Sequence, residues 1–266
     1  MKKLLFVTLI LSLVISCSNE ITYEHSNAIT EIFPEVIISN ESFLYTDHFG
    51  NLMNGHHTAR HENGNLHADV RFEEGFITNG AMYNDEGILY TTHSLKDGLV
   101  EFTTYHQNGT PAFRTLQENN VSGIIEAYTW YENGTPSSES TQTHFKTWHE
   151  NGEPASEISK IGGKADGVGY SWHENGDLRN ENYFKDDQWH GSFREWDENG
   201  NLISERFYEM GMPDGVHKTW DSHGNLIEEK MYKDGKPHGT HKVWDIDGML
   251  ITEMHFENGD LIRTNR

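Results

Sequence analysis

The chain has 266 residues, with 42 acidic against 20 basic side chains and a formal net charge of −22. That balance disfavours nucleic acid, whose binding runs on Lys and Arg neutralising phosphates, and anionic lipid held through a polybasic face. The 12% aromatic content, regularly placed, argues against a disordered chain.

In chain order, Met1-Lys2-Lys3 is a short positive start, and Leu4 to Ile15 is an apolar run broken only by Thr8 and Ser12. The run is too short for a comfortable permanent span and has the architecture of a secretion signal. Val14-Ile15-Ser16-Cys17 resembles a lipobox, which implies cleavage before Cys17 and a lipid on its thiol. Cys17 is the single cysteine, so the mature chain has no partner for an internal disulfide. Losing residues 1–16 removes Lys2 and Lys3 and leaves the mature chain still more acidic. The expected organisation is a lipoprotein signal peptide at 1–16, a lipidated tether at 17–40 and a repeat domain at 41–266. Ser18 rather than Asp after the cysteine implies, by the same resemblance, the outer membrane if the cell has two.

From residue 41 an internal repeat dictates the architecture. Gly152, Gly176, Gly200, Gly224 and Gly248 are 24 residues apart, and Gly64, Gly87, Gly109 and Gly134 continue the series upstream. Only Gly134 to Gly152 is short, at 18 residues, and it lacks the Lys-Asp-Gly turn, so a bend or a register break is expected there. Four residues before the anchor stand Trp130, Trp148, Trp172, Trp196, Trp220 and Trp244, with Arg60, Tyr83 and Tyr105 in weaker copies. Two after it comes leucine, as in Leu202, eight after it an aromatic, as in Tyr208, and nine before it a second glycine, as in Gly191. Asp197-Glu198-Asn199-Gly200-Asn201 reads as a type I turn closed by a left-handed glycine. Lys233-Asp234-Gly235-Lys236-Pro237-His238-Gly239 reads as a second, looser turn. Each repeat is strand, tight turn, strand, outer turn. The expected fold is all-β, an elongated antiparallel hairpin array in a single sheet, with about nine repeats of about 24 residues.

A strand period of two then sorts the side chains. Trp196 is expected opposite Leu202, Arg194 opposite Ser204 and Phe193 opposite Glu205, with Trp196, Leu202 and Tyr208 sharing a face. Five residues after the anchors stand Asp69, Glu139, Glu157, Glu181, Glu205, Glu229 and Glu253, an acidic column expected on the face opposite tryptophan. His57, His217 and His241 are expected across from Asp69, Glu229 and Glu253. Such pairs supply two ligands per repeat where a metal site needs three or four, and they read as cross-strand pairs. His190 and His238, in a slot that elsewhere holds Asp166, Asp214 or Asn54, read as turn chemistry. Asp245-Ile246-Asp247-Gly248 lacks the remaining oxygens of a calcium loop. No nucleophile motif, phosphate loop or H-E-x-x-H is present, so no catalytic residue, cofactor or metal is expected.

The pattern running through Gly191, Trp196, Gly200, Leu202, Glu205 and Tyr208 and on to Lys233-Asp234-Gly235 and Gly239 resembles the bacterial MORN-repeat variant seen in YwqK-type proteins. The likeness covers about 41–266 and is sharpest from Gly152 onward. Trp244-Asp245, Gly248 and Leu250 are more distantly similar to the tyrosine-aspartate repeats of large secreted shells. The family resemblance implies an immunity or antitoxin role for some members. The leading expectation is a non-enzymatic, lipid-anchored envelope scaffold that binds a protein partner, basic or a toxin, through the acidic column or the tryptophan face. The alternatives are a YwqK-type antitoxin, and an envelope glycan-binding protein or hydrolase.

Overall fold

The computed structural model describes residues 36–39, 42–45, 50–118 and 124–265. Cys17 and the signal and tether segments up to residue 35 lie outside the described residues. A short antiparallel pair, Val36–Ser39 with Ser42–Tyr45, precedes one sheet of twenty strands. Successive strands pair antiparallel, except that Met212–Pro213 and Gly215–Trp220 both pair with Leu202–Glu209 and not with each other. The ladder is open: Gly55–Arg60 pairs with Leu66–Glu73 at one end, and Asp260–Asn265 with Leu250–Glu257 at the other. This is the hairpin-repeat, single-sheet array that the 24-residue period dictates.

The tight turns close as expected. In the repeat around Gly200, Asp197 N–H donates to Asn201 O at 2.9 Å and Gly200 N–H to Asp197 O at 3.0 Å. Gly200 has φ 80°, which a side chain would strain. The outer turns differ from expectation. Asp234-Gly235 is a two-residue connection between the paired Lys233 and Lys236, with φ 51° and 79° at its centre. Both angles positive is the type I′ geometry that matches strand twist, so this is the shorter of the two turns.

In the regular repeats two bulges set the register, while the outer pairs Leu89–Lys96 with Leu99–Tyr105 and Pro136–Ser140 with His144–Trp148 run without one. After Trp196↔Leu202 the pairing steps to Glu195↔Ser204, Arg194↔Glu205 and Phe193↔Arg206, so Ile203 is an extra residue. A second irregularity sits at the outer glycine, between Lys230↔His241 and Tyr232↔Pro237. The first bulge overturns the expected pairing of Arg194 with Ser204 and of Phe193 with Glu205. A bulge leaves two residues opposite one and reverses the alternation beyond it. Tyr208 therefore lies opposite Gly191, on the other face from Trp196. His57, His217 and His241 are moved likewise and face Val70, Lys230 and Met254 rather than the acidic column.

The short unit does not break the sheet. Its strands Pro136–Ser140 and His144–Trp148 are only five residues each, yet they pair with each other and with both neighbours.

Side chains at both rims stitch each repeat to the next. At the tight turns Asn63, Asn108, Asn133, Asn151 and Asn175 donate through Nδ2 to the backbone carbonyls of Asp85, Glu132, Glu150, Glu174 and Glu198. His106, His149 and His173 engage the carbonyls of Trp130, Trp172 and Trp196 at 3.0 Å. Further along, Asp197, Asp221 and Asp245 replace the histidine and fold back on their own turns. The Asn201 side-chain amide holds the Asp197 carboxyl below its usual range. At the outer rim Gly211, Gly235 and Gly259 donate to Trp189, Pro213 and Pro237. The turn chemistry expected of the slot before the outer glycine is present: Asn54 and Asp214 side chains accept N–H bonds from Glu74 and Asp234, and His238 lies at 3.5 Å from Asn258 N. Asn151→Ala removes one inter-repeat stitch and is expected to cost about 1 kcal/mol. Asn199→Ala, in a turn that still has its Asp197 cap, is expected to cost less. Urea melts of the two variants side by side test this.

The buried core lies at the amino-terminal end of the face away from tryptophan. Met53, Ala59, Ala68, Val70 and Phe72 are at most 4% exposed, with Tyr45, Ile77 and Met82 packed against them. Tyr45 and Met53 stand where a preceding repeat would be. Met53 N–H donates to Tyr45 O, Gly75 N–H donates to Met53 O, and the Tyr45 ring lies 5.5 Å from Phe72.

Candidate binding surface

The tryptophan face carries three rows of side chains across the sheet. Nearest the tight turns, Trp172, Trp196, Trp220 and Trp244 pair with Leu178, Leu202, Leu226 and Leu250, while Trp130 and Trp148 pair with Pro136 and Pro154. All six indoles are half-buried.

The middle row holds the acidic column, on the same face as tryptophan and not on the opposite one. The bulge after each tight turn is the reason. The carboxylates also do not stand alone. Read along the sheet, the row runs Tyr128, Glu139, Lys146, Glu157, Tyr170, Glu181, Arg194, Glu205, Lys218, Glu229, Lys242, Glu253. A cation or a tyrosine separates each glutamate from the next. Arg194 reaches Glu205 at 3.0 Å and Glu181 at 3.6 Å, and Lys146 reaches Glu157 at 3.2 Å. Lys218 with Glu229 and Lys242 with Glu253 close at 3.9 Å. The Glu205 hydrogen bond holds the Arg194 guanidinium above its ordinary range. Asp69 is set apart between Thr58 and Ala81, and pairs with His56 at 2.6 Å.

The column is thus a charge-alternating ladder. The signal was present in sequence: Lys146, Arg194, Lys218 and Lys242 all stand six residues before their anchors. Exposed cross-strand pairs of this kind contribute about 0.2–1 kcal/mol each. Arg194→Met leaves Glu181 and Glu205 facing each other across one strand and is expected to cost about 1 kcal/mol, less in high salt. Denaturant melts at two ionic strengths test both the size and the salt dependence.

The third row, next to the outer turns, escaped the sequence reading. Seven residues after the anchors stand Tyr183, Phe207 and Met231, at 40%, 39% and 43% exposure, with Val168, Ser192 and Val216 opposite them. The outer glycines give these side chains room. A Cβ on Gly215 would lie 3.5 Å from Phe207 Cβ, and one on Gly239 would lie 2.8 Å from Met231 Sδ.

The opposite face carries rings over the sheet toward its carboxyl-terminal half. Tyr208, His217 and Tyr232 follow one another at centroid distances of 5.6 and 4.7 Å. Among the described residues no group of three or more His, Cys, Asp or Glu is placed to hold a metal ion. In the short unit His144 meets Glu139 at 3.2 Å beside the Thr141 and Thr143 hydroxyls. The Thr141 hydroxyl accepts the Thr143 and His144 N–H bonds, which is turn capping.

Fold and surface together define a β-hairpin repeat protein. Three consecutive segments, 165–186, 189–210 and 213–234, match the family model described as MORN repeat variant. That match supports reading the chain as a MORN-repeat protein, with the matched stretch in the most regular part of the sheet. No curated protein matches the chain. Among solved structures, "Crystal Structure of TcdB2-TccC3-Cdc42" aligns at 12% identity over 84% of this chain and 15% of the other, with a TM-score of 0.20. "Crystal Structure of TcdB2-TccC3-TEV" aligns at 10% identity over 84% of this chain and 16% of the other, with a TM-score of 0.23. The chain spans less than a fifth of either.

Proposed function

We propose that the protein is a non-enzymatic, lipid-anchored scaffold of the cell envelope, tethered through Cys17, that binds a protein partner along its tryptophan face. One observation supports this most: the face presents three rows that repeat with the strands, so its chemistry is distributed along the sheet and does not converge on a point. Distributed rows suit the recognition of an extended surface, and solvent-facing apolar side chains beside polar rows are typical of protein contact. The antitoxin reading rests on the YwqK-type resemblance and would be one case of this function, with a toxin as the partner. Two measurements test the proposal. Metabolic labelling with a fatty acid should mark the wild-type chain and not Cys17→Ala. Capture from solubilised envelopes should retain a defined protein on the wild type and lose it on Phe207→Glu/Met231→Glu. Unlabelled wild type removes the anchor, and capture indifferent to the face variant removes the surface.

A further inference from the structure

We infer that the stretch of the tryptophan face spanning the repeats at 165–234 is a self-association surface whose occupant is a second copy of this chain. The inference rests on the reading of that face as a binding surface and names its occupant. Phe207, Val216 and Met231 are apolar and exposed on three successive strands, and Tyr183 continues the row beyond Ser192. Beside it the ladder alternates in sign strand by strand. Consider two copies face to face about a two-fold axis parallel to the strands, set midway between Leu202–Glu209 and Gly215–Trp220. The axis brings each row over its own copy with the stacking order reversed. Glu205 then faces Lys218 of the second copy, Arg194 faces Glu229, and Glu181 faces Lys242. No like charges meet in this set. In the apolar row Phe207 faces Val216 and Ser192 faces Met231. A uniformly acidic column would forbid the arrangement; the alternating one is self-complementary, as an isologous interface requires.

The area suffices. Six strands about 4.8 Å apart and about eight residues long cover roughly 750 Å², near the roughly 800 Å² per partner of a standard stable interface. Two sheets with near-parallel strands pack in this aligned way in β-sandwiches. Charges taken from water are costly unless paired, and here each keeps its opposite neighbours within the sheet and gains one more from the second copy.

The experiment is sedimentation of the purified full chain over a dilution series. It is joined by disulfide trapping between a Ser192→Cys chain and a differently tagged Met231→Cys chain, both carrying Cys17→Ser. The expected result is a concentration-dependent dimer, trapped through positions 192 and 231. Phe207→Glu/Met231→Glu should weaken it by about tenfold or more, with an unchanged far-ultraviolet spectrum. Glu205→Lys alone, which sets a lysine against Lys218 of the second copy, should weaken it too, and adding Lys218→Glu should recover part of that loss. A chain monomeric throughout the series, or a dimer untouched by the Phe207/Met231 variant, overturns the inference. If the chain is monomeric and envelope capture still yields a different protein through this face, the self-association fails while the scaffold reading stands. Capture that fails beside an intact dimer gives the reverse.

Discussion

Acidification from pH 7.5 to pH 4 is expected to destabilise the sheet by about 3 kcal/mol through a single imidazole. His93 lies on the face away from tryptophan, between Gly80 on one neighbouring strand and Phe102 on the other. Its Nδ1 is sealed from solvent without a hydrogen-bond partner. Desolvation pushes its pKa down from the ordinary 6.5 to about 4. The folded chain therefore keeps this ring neutral where the unfolded chain protonates it. The resulting stability is fully present above pH 6.5, is lost as pH falls through about 4, and levels off below that through this group. Burial also lowers the pKa values of His67 and His217, which adds to the effect in the same direction. Urea unfolding of wild type and His93→Leu across this range isolates the contribution: the wild-type curve should fall by about 3 kcal/mol more than that of the variant. Parallel curves would mean that His93 takes up its proton without leaving the sheet.

How much of this was legible in the sequence depends on what the bulges do. The tight turn reads directly, because Gly200 and Asp197 sit at fixed offsets from Trp196 and Leu202, and those two pair as expected. Beyond Leu202 a period-two count fails, since Ile203 is one strand residue too many and looks like any other β-branched residue. Everything after it changes face, which is why a plain count puts Glu205 away from tryptophan and His217 across from Glu229. A charge argument would have found the shift: Arg194 and Lys218 satisfy Glu205 only in the bulged register. The outer turn reads longer than it is because its proline and second glycine lengthen the apparent loop, while the chain turns on Asp234-Gly235 alone. The third row was not legible, because exposure decides it and Phe207 and Met231 carry no motif. The rim stitches were hidden similarly. His149 and Asn151 look like ordinary turn residues until the next repeat's carbonyls are in place 23 residues on.

The second large effect is expected at Gly169, and it tests whether rings lying over glycines specify the repeat packing. Gly169 is buried in the strand Lys164–Trp172, opposite Asn182. Unlike Gly167, whose φ is 104°, it is not in the left-handed region, so its backbone accepts any residue. What excludes a side chain is contact. A Cβ there would stand 2.6 Å from Asn182 Oδ1 and 2.9 Å from Phe184 Cε2. The amide can rotate away, but the ring is the aromatic that pairs opposite Gly167 and covers the strand. Gly169→Ala should gain roughly 0.5–1 kcal/mol from reduced unfolded-state freedom and lose about 1–3 kcal/mol by displacing the ring. The net expectation is destabilisation, larger for Gly169→Val. Phe184→Leu costs stability by itself, since it uncovers apolar surface. It should nonetheless reduce the penalty of Gly169→Ala, giving a positive coupling in a double-mutant cycle. Additive effects, or a stabilised Gly169→Ala, would show that the ring yields freely and that the hairpin ladder alone holds the repeats in register.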